Sequence, residues 1–283
     1  MQAPRLPFPT LNLTLPMKSK LAAAAVFLVG GTLSSHAVTV LFNTDFAALS
    51  NGDLNGQSSN GGGSSMTWTG DGNMDVSSGQ LATAGGSTMW GALDGATQTT
   101  LNLSDEVWFS IDMRTNHNNG TNRFGIATTQ GVFDTSATIG QRLGGTQMRL
   151  GAWNGSAPDV SGSVPGATTN AACETFTNTG WAANTWYTLV GKLTVNRSTG
   201  AADVFQFWFV PQGTFDYNNP GTPYITMNGI DLVGPTTQIT GVVFQGNQGG
   251  NGYDNLTIAV PEPGSLLMGG LGLLALARRR RGA

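Results

Sequence analysis

Cysteine, histidine and charge are all scarce in this chain, and each shortage closes off a class of protein. Cys173 is the only cysteine in 283 residues, so no intramolecular disulfide can form and a disulfide-stapled scaffold is excluded. As a single thiol it reads either as a small, half-buried residue or as a reactive or intermolecular group. His36 and His117 are the only histidines, and no Cys/His cluster with zinc spacing exists. Asp, Glu, Lys and Arg together make up 10 % of the chain, too little for ion-pair networks to carry its stability. Between Val38 and Val260 there are 6 basic residues against 15 acidic ones, a net charge of −9. That acidic middle has no basic stripe, which argues against a nucleic-acid partner. No capped amphipathic helix and no internal repeat stands out.

What the chain has in quantity is glycine, 41 residues of it, with many Asn, Ser and Thr. These residues supply positive φ and local side-chain-to-backbone bonds, the chemistry of turns. Between the turns the apolar pattern has period two. Val107, Phe109, Ile111 and Met113 fall on one face of a strand, as do Tyr187, Leu189, Leu193 and Val195. Phe205, Phe207 and Phe209 share a face with Gln206 and Trp208 opposite, and the turn-rich Asn196–Gly200 joins this run to the preceding one as a hairpin. Further strands are expected at Val38–Phe42, Thr99–Leu103, Arg123–Thr128, Gln147–Trp153, Gln238–Gln245 and Tyr253–Ile258, with loops at Asn60–Ser65 and Ser156–Asn170. Many short strands separated by turns predict an all-β fold, a two-sheet antiparallel β-sandwich of the jelly-roll kind.

The two ends read as processing segments. Lys18 and Lys20 precede the apolar run Leu21–Val29, and small residues lead to Ser35-His36-Ala37. This is the layout of a signal peptide, with a helical apolar region and cleavage after Ala37. Met1–Pro16 does not fit that layout, so Met17 is the expected start. At the other end, Val260-Pro261-Glu262-Pro263 leads into the apolar stretch Gly264–Ala277 and then Arg278, Arg279, Arg280 and Arg281. The arginines would stay cytoplasmic and leave the main domain outside.

These three parts, in this order, resemble the PEP-CTERM sorting signal. The resemblance implies a short hydrophobic C-terminal helix held transiently in the inner membrane. It also implies recognition by an exosortase, a membrane transpeptidase, and delivery to the cell surface or exopolysaccharide matrix of a Gram-negative bacterium. The chain thus divides into a leader and signal peptide (1–37), a β-sandwich domain (38–259) and a sorting signal (260–283).

The middle carries a second resemblance. Phe42-Asn-Thr-Asp45-Phe46, Leu54-Asn55-Gly56-Gln57, Trp186-Tyr-Thr-Leu and Tyr253-Asp254-Asn255-Leu256-Thr257-Ile258 are similar to concanavalin A-like (laminin-G-like) jelly rolls. That implies adjacent first and last strands, and a superfamily in which carbohydrate or matrix binding is common. In related carbohydrate-binding members an Asp on the last strand and a group on the first share a calcium ion, and Asp254 and Asp45 match those places. Asp71-Gly-Asn73-Met-Asp75 begins like a calcium loop, but Val76 and Ala82 stand where Gly and Glu are needed, so it reads as a turn.

Catalysis finds little support. Hydrolases of the jelly-roll class carry Glu-x-Asp-x-x-Glu on one strand, and neither Glu106 nor Glu174 sits in such a motif. Glu106 and Asp112 share a strand face and read as solvated surface acids. His117 has no Gly-x-Ser-x-Gly partner, and neither HExxH nor a phosphate loop occurs. The chain reads as a non-enzyme. Of its seven tryptophans, Trp108 and Trp186 fall within strands and suit packing, whereas Trp153 and Trp181 lie beside turns, where an indole can stack on a sugar ring. The expected function is an exported adhesive or structural protein that binds extracellular polysaccharide. The alternative is a secreted polysaccharide hydrolase or lyase with a non-standard carboxylate site.

Overall fold

The computed structural model describes residues 37–262 apart from 71, 84–86, 115–120, 129–146, 152–158, 164–174, 178–181, 183, 199–201, 231–232, 234–237 and 247–251. The expected signal helix and C-terminal hydrophobic helix lie outside these residues. Among the described residues no helix is long and apolar enough to cross a membrane.

The chain folds as two antiparallel sheets packed face to face. In chain order the strands are β1 (Val38–Thr44), β2 (Gly52–Asp53), β3 (Ser58–Gly61), β4 (Ser64–Gly70), β5 (Met74–Ser77), β6 (Gln80–Thr83) and β7 (Ser87–Leu93). After helix α1 (Gly95–Leu103) come β8 (Glu106–Arg114), β9 (Thr121–Thr128), β10 (Gln147–Gly151), β11 (Asp159–Ser163) and β12 (Thr175–Thr177). The last five are β13 (Tyr187–Thr194), β14 (Asp203–Pro211), β15 (Ile225–Ile230), β16 (Ile239–Gly246) and β17 (Gly252–Pro261). The first sheet runs β15-β14-β13-β8-β17-β6-β5-β2, with β1 also paired to β17. The second runs β12-β11-β10-β9-β16-β7-β4-β3. First and last strands are therefore neighbours.

The period-two faces meet between the sheets. Phe109, Leu189, Leu193, Phe205 and Phe207 come from the first sheet, and Met66, Trp68, Met89, Phe124, Val242 and Phe244 from the second. Phe109 meets Phe124 edge to face at 5.8 Å, and Phe244 touches Phe124, Trp68 and Tyr253 at 5.2, 5.5 and 5.1 Å. The Trp68 indole N–H donates to Ser59 Oγ at 2.8 Å, so the largest core side chain buries no unmet donor. Two glycines make room for these rings. A Cβ on Gly191 would lie 2.4 Å from the Phe109 ring, and one on Gly91 2.5 Å from the Trp68 ring.

A second apolar cluster lies on the outer face of the first sheet. Trp108 and Trp208 stack at 5.3 Å beside Val190 and Ala259, and Val38, Phe215 and Tyr217 pack against them. The segment after β14 covers this face. Tyr217 OH bonds Ser110 Oγ at 2.8 Å, and the Trp208 indole donates to Gly221 O at 3.3 Å. Trp208 thus lies opposite Phe205 and Phe207, as the alternation requires, yet it is buried.

Several local expectations change. Thr99–Leu103 is helical, not extended, and belongs to α1. Asp94 caps that helix, accepting from Thr97 N at 2.8 Å and from Ser65 N at 2.7 Å. The Thr99 and Thr100 hydroxyls donate to carbonyls four residues back, which satisfies them within the helix. Asn60–Ser65 is the tip of the β3–β4 hairpin, where positive φ at Gly62 and Gly63 leaves both flanks in strands. Ser156–Asn170 contains β11, which pairs with both β10 and β12. In the Asp71–Asp75 turn, Met74 and Asp75 already belong to β5.

Candidate functional site

Asp112 sits on the outer face of the first sheet, in β8, and is 4 % exposed. It is not a solvated surface acid. Its Oδ1 accepts from the Thr188 hydroxyl at 2.5 Å, and its Oδ2 from the Gln212 and Asn255 side-chain amides at 2.9 and 2.8 Å. The Thr188 oxygen in turn accepts from Gly213 N at 3.0 Å. This carboxylate therefore ties β8, β13, β17 and the covering segment together. Glu106, six residues earlier on the same face of β8, is also engaged: it pairs with Lys192 at 3.0 Å and accepts from the Trp108 indole at 2.6 Å.

Asp254 lies near Asp112, where the β17–β8 ladder shifts register and Asn255 adopts φ 49°. Burial raises the Asp254 carboxyl above its ordinary range, with smaller contributions from the negative charges of Asp112 and Asp45. The fold thus brings Asp45 and Asp254, the two expected calcium ligands, into electrostatic range of each other. Each carboxylate also holds a neighbouring N–H. Asp254 accepts from Asn255 N at 2.8 Å and Gln80 Nε2 at 3.3 Å, and Asp45 Oδ1 accepts from Ala47 N at 3.0 Å. Among the described residues no group of three or more His, Cys, Asp or Glu is arranged to hold a metal. A calcium ion needs six or more oxygens, so beyond these two carboxylates it would draw on backbone carbonyl and side-chain oxygens around them.

Trp186 is half-buried, with the Arg114 guanidinium 5.0 Å over its ring. Trp153, Trp181, His117 and Cys173 lie outside the described residues, as do Pro263 and Arg278–Arg281.

On the outer face of the second sheet, strand register sets out rows of residues that the sequence alone did not reveal. Cross-strand register lines up Thr69, Trp90, Val243, Gly125 and Gln147 in one row, and Thr88, Gln245, Arg123 and Arg149 in the next. These rows alternate with core residues Met89, Phe124 and Phe244. The Trp90 indole nitrogen is buried and has no hydrogen-bond partner among the described residues. Two arginines opposite each other in neighbouring strands oppose the usual pairing preference. The signal that could have found this face is the Thr88-Met89-Trp90 alternation, with Met89 turned inward.

The sorting segment is joined directly to the fold. Val260 and Pro261 are the last residues of β17 and pair with Thr39 and Val38 of β1. Glu262 N donates to Ala37 O at 2.9 Å.

Fold and tail together define an exported β-sandwich protein. Residues 259–281 match the PEP-CTERM protein-sorting motif, which implies export, transient anchoring in the membrane and processing by an exosortase. Among solved structures, the chain is similar to the Emp46p carbohydrate recognition domain (10 % identity, 68 % of this chain and 87 % of that one, TM-score 0.46). It is also similar to the alginate lyase Aly36B (12 %, 80 % and 98 %, TM-score 0.46). A third is the marine alginate lyase from Aplysia kurodai (12 %, 70 % and 83 %, TM-score 0.42). No curated protein matches the chain.

Proposed function

We propose that this chain is an adhesive or structural protein of the cell surface or extracellular matrix, and that its β-sandwich binds extracellular polysaccharide. The observation that carries the reading is the sorting motif at 259–281, continuous with the last strand of the sandwich. The sandwich is then the part delivered outside. The register of the second sheet supports glycan binding, because it places residue types suited to sugars at neighbouring strand positions, Trp90 opposite Thr69 and Thr88 in the row of Gln245, Arg123 and Arg149. Amides and guanidinium groups suit sugar hydroxyls and carboxylates, and an indole suits the C–H face of a sugar ring.

The test is binding of purified Val38–Glu262 to neutral, uronate-containing and sulfated polysaccharides, in calcium and in chelator. Binding without release of oligosaccharide is expected, and the comparison of the two buffers tests Asp45 and Asp254 as calcium ligands. Retention that disappears in chelator would support those two residues as ligands, and equal retention would remove them from the site. Release of soluble oligosaccharides would make the protein an enzyme, and no binding to any glycan would refute the proposal.

A further inference from the structure

The sorting motif does not hang free from the domain. Its first residues are rungs of a sheet: Val40 faces Ala259, Thr39 faces Val260 and Val38 faces Pro261. Val260 is 7 % exposed and Ala259 is buried. Val38 packs onto the Trp108–Trp208 cluster, so the strand that covers the motif is itself anchored. Only Pro263 separates Glu262 from the apolar stretch that begins at Gly264. At about 3.5 Å per residue, the paired Pro261 lies within roughly 10 Å of that stretch. A membrane partner that grips Pro261-Glu262-Pro263 as an extended peptide must therefore work against the end of the sandwich, where β1 occupies one side of the same backbone.

The ladder ends in a way that suits opening. Pro261 has no N–H, so it gives the last rung no donor. Beyond it the remaining backbone bond runs from Glu262 N to Ala37 O. Ala37 is the residue after which signal cleavage is expected, and its carbonyl would leave with the leader. Cleavage at the front of the domain then removes the one bond that holds Glu262 at its back.

We propose that β1 is a gate on the sorting signal. The membrane partner engages Pro261-Glu262-Pro263 only after the Val38–Pro261 and Thr39–Val260 rungs open, and removal of the leader weakens that gate by one hydrogen bond. This rests on the motif being a working sorting signal, which alanines at Pro261, Glu262 and Pro263 test separately: they should abolish processing whether or not a gate exists.

The gate is tested in the full-length chain in its producing cells, by pulse-chase conversion of precursor to processed form. The variant Thr39→Cys/Val260→Cys, in a Cys173→Ser background, is followed oxidised and after reductant, so that the substitutions cancel in the comparison. The oxidised form should convert at least about tenfold more slowly, because a covalent cross-link holds shut a rung that one or two backbone bonds would let open, and reductant should restore the rate. A five-residue Gly/Ser insert between Val260 and Pro261 should restore the rate in the oxidised form as well. Equal rates in oxidised and reduced forms would overturn the gate, as would a locked chain that stays slow with the insert. The wild-type protein gives an independent reading by amide hydrogen exchange. Protection at Val260 supports the gate, and exchange there at the rate of an unstructured chain refutes it.

Discussion

Replacing Asp112 by alanine removes an acceptor that three donors share, and replacing it by asparagine does not, so the two substitutions should differ sharply. In Asp112→Ala the Thr188 hydroxyl and the Gln212 and Asn255 amides all lose their partner in a site with little access to water. A bond to a charged group contributes about 1.5–3 kcal/mol, and losses within one network do not add fully. A loss of about 3–4 kcal/mol in unfolding free energy is expected. In Asp112→Asn the carbonyl oxygen can keep both amides at the Oδ2 position. The new NH2 then faces Thr188, whose hydroxyl can rotate to accept. That variant should lose only about 1 kcal/mol. Urea unfolding of Val38–Glu262, followed by tryptophan fluorescence, measures both. The fluorescence also reports on the covering segment, because Trp108 and Trp208 lie beneath Phe215 and Tyr217. Equal losses for the two variants, or a loss below about 1 kcal/mol for alanine, would refute the view that this carboxylate ties the outer face together.

Two further substitutions probe other levels of the fold. Gly191→Ala places a Cβ 2.4 Å from the Phe109 ring and should cost about 1–3 kcal/mol by overpacking, read from the same unfolding curves. Asp94→Ala removes the α1 cap and should cost about 1 kcal/mol near neutral pH. Bonds from Ser65 N and then Thr97 N hold the Asp94 carboxyl below the ordinary carboxylate range. Its contribution is therefore fully present above the ordinary carboxylate range and is lost as pH falls below that range through the lowered folded value. The gap between wild type and Asp94→Ala should close in strong acid, and a gap unchanged with pH would contradict this cause.

The sandwich was legible because alternation of large apolar residues is a direct image of a sheet with one buried face. Phe205-Gln206-Phe207-Trp208 gave both faces of β14 correctly. Alternation cannot reveal that Trp208 is also buried, since that depends on Phe215 and Tyr217 folding back from the next segment. The short strands β2 to β7 were hidden in glycine and serine, where turn chemistry masks the two-residue period. α1 was hidden because its threonines favour strands, and the decisive residue was the cap Asp94 just outside it. The sorting tail was fully legible, because its recognition lies in local order of residue types. The polar rows of the second sheet were not, because Arg123 and Arg149 become neighbours only through pairing of β9 with β10.

The position of β17 has a mechanical consequence. It lies between β8 on one side and β6 and β1 on the other, and the sorting tail continues from its end. A protein tethered through that tail and pulled by its ligand would take the load along the axis of an interior strand. Ladder bonds run across the strands, so such a pull loads many of them at once in shear. An edge strand peeled from its end would yield bond by bond. Leaving the domain from β17 makes the attachment point one of the places where the sandwich best resists force.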